Sequence, residues 1–270
     1  MADSLIKADK NPLALQLVTR LLIDRSLRSH FHVVWLHLDQ EALALRRTPP
    51  ACRSPVIFTS THPSWWDGYL TWSVNRVLGN RDGYLMMDTL SLRHYRFFTW
   101  VGAFGIDRAN PRAALESIEY SANLLKEAPN RAIWIFPQGT ITPPDRRPLG
   151  LYPGVAHIAR RLPVCEIVPV VWRLAYRYEQ RAEIFIRVGA PLHLAETERH
   201  TTREITRWID DALTAEDDRL QDELTNGDIS RPLPGYVPLM RGRASINRVF
   251  EQVQRTAVRL VGRDPGPPAP

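Results

Sequence analysis

The stretch VIFTSTHPSWWDGY, Val56 to Tyr69, carries an apolar segment straight into a histidine, a proline, two tryptophans and an aspartate. PVIFTS reads as a buried strand and PSWWDGYLTWSVNRVL as the helix that follows it. The alternation continues along the chain. GYLMM reads as a strand, LRHYRFFTWVG as helical, and AFGIDR as a strand with its exit. PRAALESIEYSANLLKEA is an amphipathic helix with Pro111 near its start, and RAIWIFPQGT is a strand running into a Pro/Gly loop. GVAHIARRL is a short helix, EIVPVVWRL and AEIFIRVG are strands, and Thr202 to about Leu224 is a helix. This order predicts an α/β domain with a largely parallel central sheet flanked by helices. In such sheets ligands sit beyond the carboxyl ends of the strands. THPSWWD and FPQGT lie at two such ends.

Outside this region, residues 11–46 read as an N-terminal amphipathic helical segment, because Leu13, Leu17, Leu21, Val34 and Leu38 recur near the helical period. TPPACRSP, Thr48 to Pro55, links it to the main domain. A last helix is expected from about Ser245 to Leu260, followed by a disordered DPGPPAP tail. The expected units are therefore 1–50, a helical segment facing a membrane; 51–225, the catalytic domain; and 226–270, the C-terminal helix and tail.

The composition narrows the partners. The 270 residues are 44% hydrophobic and carry a net charge of +6, with a pI near 9.6. That balance suits phosphate-bearing ligands or an anionic membrane surface. Lys7, Lys10 and Lys126 are the only lysines, and the arginines are dispersed among acids. No dense basic tract marks a nucleic-acid partner. Cys52 and Cys165 stand in no CxxC or Cys/His cluster, so no metal is expected. Cys165, beside a strand, is expected in the core, and two lone cysteines suit a reducing cytoplasm. The N-terminus lacks the pattern of a signal peptide. No apolar run approaches the roughly 18–20 residues that span a bilayer. Any membrane contact is therefore expected to be peripheral, at the cytoplasmic face, through residues 11–46 and the tryptophans.

His62 and Asp67 are the candidate catalytic pair. Inside one regular helix, residues five apart point in different directions. Pro63 changes this, because proline suits the first helical position and disfavours helical geometry in the residue before it. A helix beginning near Pro63 lets the imidazole fold back onto a carboxylate one turn inside. An aspartate on one ring nitrogen fixes the tautomer and leaves the other free to take a proton. No G-x-S-x-G elbow occurs, and Ser60 shows no sign of activation. A base without a protein nucleophile implies that the substrate supplies the hydroxyl.

These residues resemble the glycerolipid acyltransferases, the group that includes 1-acylglycerol-3-phosphate acyltransferase. THPSWWD is similar to that family's His-x4-Asp box. AFGIDR (Ala103–Arg108), FPQGT (Phe136–Thr140) and IVPVVW (Ile167–Trp172) are similar to its second, third and fourth boxes, in the same order over about residues 55–190. The resemblance implies transfer of a fatty acyl group from acyl-CoA or acyl carrier protein to a lipid hydroxyl, first of all a lysophosphatidic-acid-type acceptor. It implies no metal, no cofactor and no acyl-enzyme. Carried over, His62 is the general base and Asp67 its orienting acid. Arg108 is a contact for acceptor phosphate. Gly105, Phe136, Pro137, Gln138, Gly139 and Thr140 belong to the substrate-binding boxes.

The pattern departs in places. Thr61 replaces the usual residue before the histidine, Gln138 the usual glutamate, Ile141 an arginine after the third box, and Pro153 a lysine before a glycine. Arg146 and Arg147 are candidates to supply the missing phosphate contact. Otherwise the acceptor is a glycolipid or another alcohol without phosphate. The same departures motivate a second reading, a lipid-surface binding protein that has lost catalysis. A third, a metal-dependent hydrolase using His62, Asp67 and His94 or His157, lacks ligand spacing.

Overall fold

The computed structural model describes residues 5–195, 200–243, 250 and 253–256. Residues 6–11 run extended against a sheet edge, where the Ile6 carbonyl accepts the N–H of Gly105. Asn11 then caps α1 (Pro12–Leu17), its side chain accepting from the N–H groups of Leu13 and Ala14. The helix widens into a π-helical turn, Val18–Asp24, and continues as α2 (Arg25–His30).

The helix expected over 11–46 stops there, because Val33–Leu38 is strand β1. Val34 and Leu38 are four apart, a spacing that lies on one face of a helix and equally on one face of a strand. The β-branched and aromatic content of VVWLHL favours the strand.

The chain continues through α3 (Gln40–Arg47), β2 (Val56–Ser60), α4 (Asp67–Val77), β3 (Asp82–Asp88) and α5 (Thr89–His94). A 3₁₀ segment, Arg96–Val101, leads into β4 (Ala103–Ile106), then α6 (Pro111–Glu127), β5 (Arg131–Ile135) and α7 (Gly154–Ala159). The last elements are β6 (Val164–Ala175), β7 (Glu183–Val188), β8 (Leu192–Ala195), α8 (Thr202–Asn226) and β9 (Val237–Arg241).

The strands form one sheet in the order β4-β3-β5-β2-β6-β7-β1-β9, with β8 also on β6. Pairing is parallel from β4 to β6 and again between β7 and β1, and antiparallel at β6–β7, β6–β8 and β1–β9. Pro169 stands where the partner of β6 changes from β8 to β7, a position where a missing N–H is tolerated. Both flanking segments thus feed the sheet, β1 from residues 1–50 and β9 from 226–270. The helix expected at 245–260 falls mostly outside the described residues, though Phe250 and Val253–Thr256 are helical. The DPGPPAP tail lies wholly outside them.

Two apolar cores cover the two faces. One packs α6, α7 and α8 on Ile57, Ile133, Ile167 and Phe185, with Cys165 buried among them. The other packs α2, α3 and α4 on Phe58, Trp134, Val168 and Trp172. Successive residues such as Ile57 and Phe58 enter opposite cores, as the strand repeat of two requires. On one face, α8 is tied to β6 by a bidentate bond from Arg173 to Asp217. Among the described residues no helix is long and apolar enough to cross a membrane.

Candidate active site

The sheet delivers His62 two residues beyond the end of β2. Residues 61–63 belong to no helix or strand, a bend and turn span 64–66, and α4 begins at Asp67. The helix therefore starts four residues later than Pro63, where the sequence placed it. Ser64 explains the difference. Its N–H donates to Asp67 Oδ2 at 2.9 Å and its hydroxyl to Oδ1 at 2.6 Å, closing the turn through the carboxylate. The same Oδ2 meets His62 Nδ1 at 2.7 Å. The pair forms across a turn and not along a helix.

Asp67 is fully buried. Burial pushes its carboxyl above the usual range, and the bonds from His62 and Ser64 pull the other way. An ionised carboxylate only accepts, so Nδ1 carries the imidazole proton and Nε2 is left with its lone pair. The ring is stacked on Phe136 at 4.4 Å between centroids. Both backbone groups of His62 are also held: its N–H donates to Gln138 Oε1 at 2.7 Å, and its carbonyl accepts from Thr142 N–H at 2.8 Å. Ser60 is buried and gives its hydroxyl to the Thr61 carbonyl.

His62 stands on the wall of a cavity of about 340 Å³. Tyr69 and Trp72 from α4, Met86 and Met87 from β3, and Phe97 and Phe98 from the 3₁₀ segment make most of its far side apolar. Of the residues the sequence assigned to substrate, Arg108, Phe136, Pro137 and Gly139 line this cavity. The guanidinium of Arg108 lies 5.5 Å over the Tyr152 ring, and a Cβ on Gly139 would collide with it. Gly139 has φ +70°, a conformation that glycine adopts without strain.

Three assignments differ. Gly105 is inside the fold: its N–H goes to Ile6, its carbonyl takes the Ser117 hydroxyl, and a Cβ would strike Thr89 Oγ1. Gln138 is buried behind His62 and faces that residue's backbone, not the cavity. Thr140 is exposed and off the wall. Neither candidate phosphate contact in the following loop lines the cavity, and Arg147 is bound to Asp217 and Asp218.

Sequence reading missed Ser64, Thr142 and Tyr152. For Ser64 a signal existed, since a serine three residues before an acid is the spacing of a helix-capping pair. His94 packs against Tyr95, and among the described residues no three His, Cys, Asp or Glu side chains are placed to share a metal ion.

Residues 40–173, just under half of the chain, match the Acyltransferase family model. The crystal structure of the 1-acyl-sn-glycerophosphate (LPA) acyltransferase PlsC from Thermotoga maritima shares the fold. The likeness has a TM-score of 0.51 at 14% identity, over 77% of this chain and 81% of that one. No curated protein matches the chain.

Proposed function

We propose that the protein transfers a fatty acyl group from a thioester, acyl-CoA or acyl-carrier protein, to the hydroxyl of a lipid acceptor. The observation that carries this is the His62 ring on the cavity wall with Nδ1 held by Asp67. Nε2 takes the proton of the acceptor hydroxyl as its oxygen attacks the thioester carbonyl. Asp67 stabilises the imidazolium so formed. The tetrahedral intermediate collapses, the carbon–sulfur bond breaks, and the leaving thiolate receives the proton back from His62. No acyl-enzyme and no metal enter these steps. The apolar cavity holds the acyl chain, at about 0.8 kcal/mol for each methylene buried. Gln138, which departs from the family's third box, still bonds His62, so that departure leaves the base in place.

The protein works as a peripheral protein on the cytoplasmic face of a membrane. Exposed Leu13, Leu17 and Leu21 on the N-terminal helix, with exposed Trp65, Leu90 and Trp100, support this. The net positive charge suits an anionic leaflet.

The test is thiol release by purified protein given an acyl thioester and a lysolipid. His62→Ala is expected to lower the rate by about 10²–10⁴-fold. Undiminished transfer in that variant removes the role given to His62.

A further inference from the structure

The cavity wall beside His62 is almost free of charge. Among the described residues Asp88 is its only carboxylate and Arg108 its only guanidinium, and no lysine lines it. Asp88 is committed to the start of α5, accepting the N–H groups of Leu90 and Ser91. Among the described residues Arg108 is paired with no acid. The neighbouring Asp107 takes the N–H of Ala109, and the guanidinium rests on the Tyr152 ring. Around it the rim is apolar: Trp65, Ile141 and Tyr152 are 60%, 53% and 55% exposed. Arg146, Arg147 and Arg173 do not line the cavity, and Arg147 is bound to Asp217 and Asp218, and Arg173 to Asp217 and Asp145.

We propose that the acceptor's head group carries a single negative charge, as a phosphodiester does, and not the double charge of a phosphate monoester. The inference rests on the acyl-transfer reading above and names its substrate class. One guanidinium fork binds two oxygens of one anion. A phosphodiester offers two unesterified oxygens and one charge, and Arg108 satisfies both. A monoester at pH 7 carries roughly −1.5 to −2 and three acceptor oxygens. Its surplus charge would lie against Ile141 and Trp65, where the described wall offers no second guanidinium or lysine to stabilise it. A head group without charge leaves Arg108 facing the cavity unpaired.

The experiment compares three lysolipids with the same acyl chain: lysophosphatidylglycerol (diester), lysophosphatidate (monoester) and monoacylglycerol (neutral). Binding below the micellar concentration is measured on the His62→Ala protein, and turnover on the wild type. The diester is expected to bind about tenfold or more tighter than either of the others. Added to His62→Ala, Arg108→Gln should bring the diester to the level of the neutral lipid and leave the neutral lipid unchanged. Ile141→Arg, on the exposed rim, should shift preference towards the monoester, and thermal melting checks that each variant folds. Tightest binding of the monoester, equal binding of neutral lipid and diester, or indifference to Arg108→Gln overturns the proposal. Absence of turnover with all three lipids while the binding order holds counts against acyl transfer and leaves the head-group assignment supported.

Discussion

The side-chain oxygen of Gln138 accepts the backbone N–H of His62 at 2.7 Å, joining residues 76 apart in sequence. It fixes the residue that carries the imidazole, so in the proposed reaction Gln138 positions the base from behind the cavity wall. Gln138→Leu keeps the bulk but leaves that N–H without an acceptor, a loss of about 1–3 kcal/mol for a buried donor. We expect kcat/KM to fall about tenfold with a lowered melting temperature. Gln138→Glu supplies an oxygen at the same reach and should stay within a few-fold of wild type. Equal rates for wild type and Gln138→Leu would show that the bond is idle.

Asp67→Asn tests the other side of the ring. The amide oxygen takes the Oδ2 place, where it still accepts from Ser64 N–H and Nδ1–H, and its NH₂ turns to the Ser64 hydroxyl, so the imidazolium formed in the proposed reaction loses its counter-charge. Activity is expected to drop about 10²–10⁴-fold. Stability should move the opposite way at neutral pH. Burial raises the Asp67 carboxyl above its ordinary value of 3.8, so the folded chain holds that proton more readily than the unfolded one. The resulting stabilisation is fully present below pH 3.8 and is lost as pH rises through the folded-state value. Asp67→Asn lacks this dependence. Its melting temperature should therefore gain on wild type as the pH is raised from the acid range, which paired melts across pH will read. A constant difference at every pH contradicts the assignment.

Much of this arrangement was legible in the chain, and the failures share one physical cause. The His62–Asp67 pair and the helix Pro111–Glu127 were readable because local sequence specifies them, although the pair is closed by the turn at Ser64 and not by a helix begun at Pro63. β1 was lost because a four-residue repeat fits both periodicities, and only pairing with β7 and β9 decides between them. β9, with Pro238 inside it, is an edge strand that β1 recruits. Gln138 was placed on the right loop but facing the wrong way, since the direction of its side chain is set by a backbone group on another element. Gly105 was read as part of a binding box, whereas its backbone bonds Ile6 and Ser117, and Thr89 from another element stands where a side chain would go. Nothing local shows that Trp72, Met86 and Phe98 share one cavity, because three separate elements bring them there.

Gly68 gives access to that cavity. It lies on the wall in the first turn of α4, and a Cβ built there meets nothing within 4 Å. A larger side chain would enter the space without straining the fold, and loss of glycine from a helix gains about 0.5–1 kcal/mol. Gly68→Phe is expected to lower kcat/KM for long-chain thioesters by about tenfold or more, since each excluded methylene forfeits about 0.8 kcal/mol. Short-chain donors should be spared. The measurement is rate against donor chain length, and uniform loss at all lengths would place the chain elsewhere.

The N-terminal helix is built to face two ways. Ile23 and Leu27 are buried beneath it, and Asp24 pairs with Arg76 of α4. Leu13, Leu17 and Leu21 are 73%, 59% and 63% exposed. Three leucines turned to water contribute nothing to the fold, yet burying each in an apolar phase is worth about 1.5–3 kcal/mol. Replacing all three by serine should therefore leave the melting temperature nearly unchanged, surface substitutions being worth within about 0.5 kcal/mol each. Cosedimentation with anionic vesicles should fall about tenfold or more, and the part that remains should weaken with salt. Turnover of a vesicle-borne acceptor should fall with it, while turnover of a short-chain acceptor in solution stays at the wild-type rate. A triple variant that still sediments fully with vesicles would move the membrane contact away from this helix.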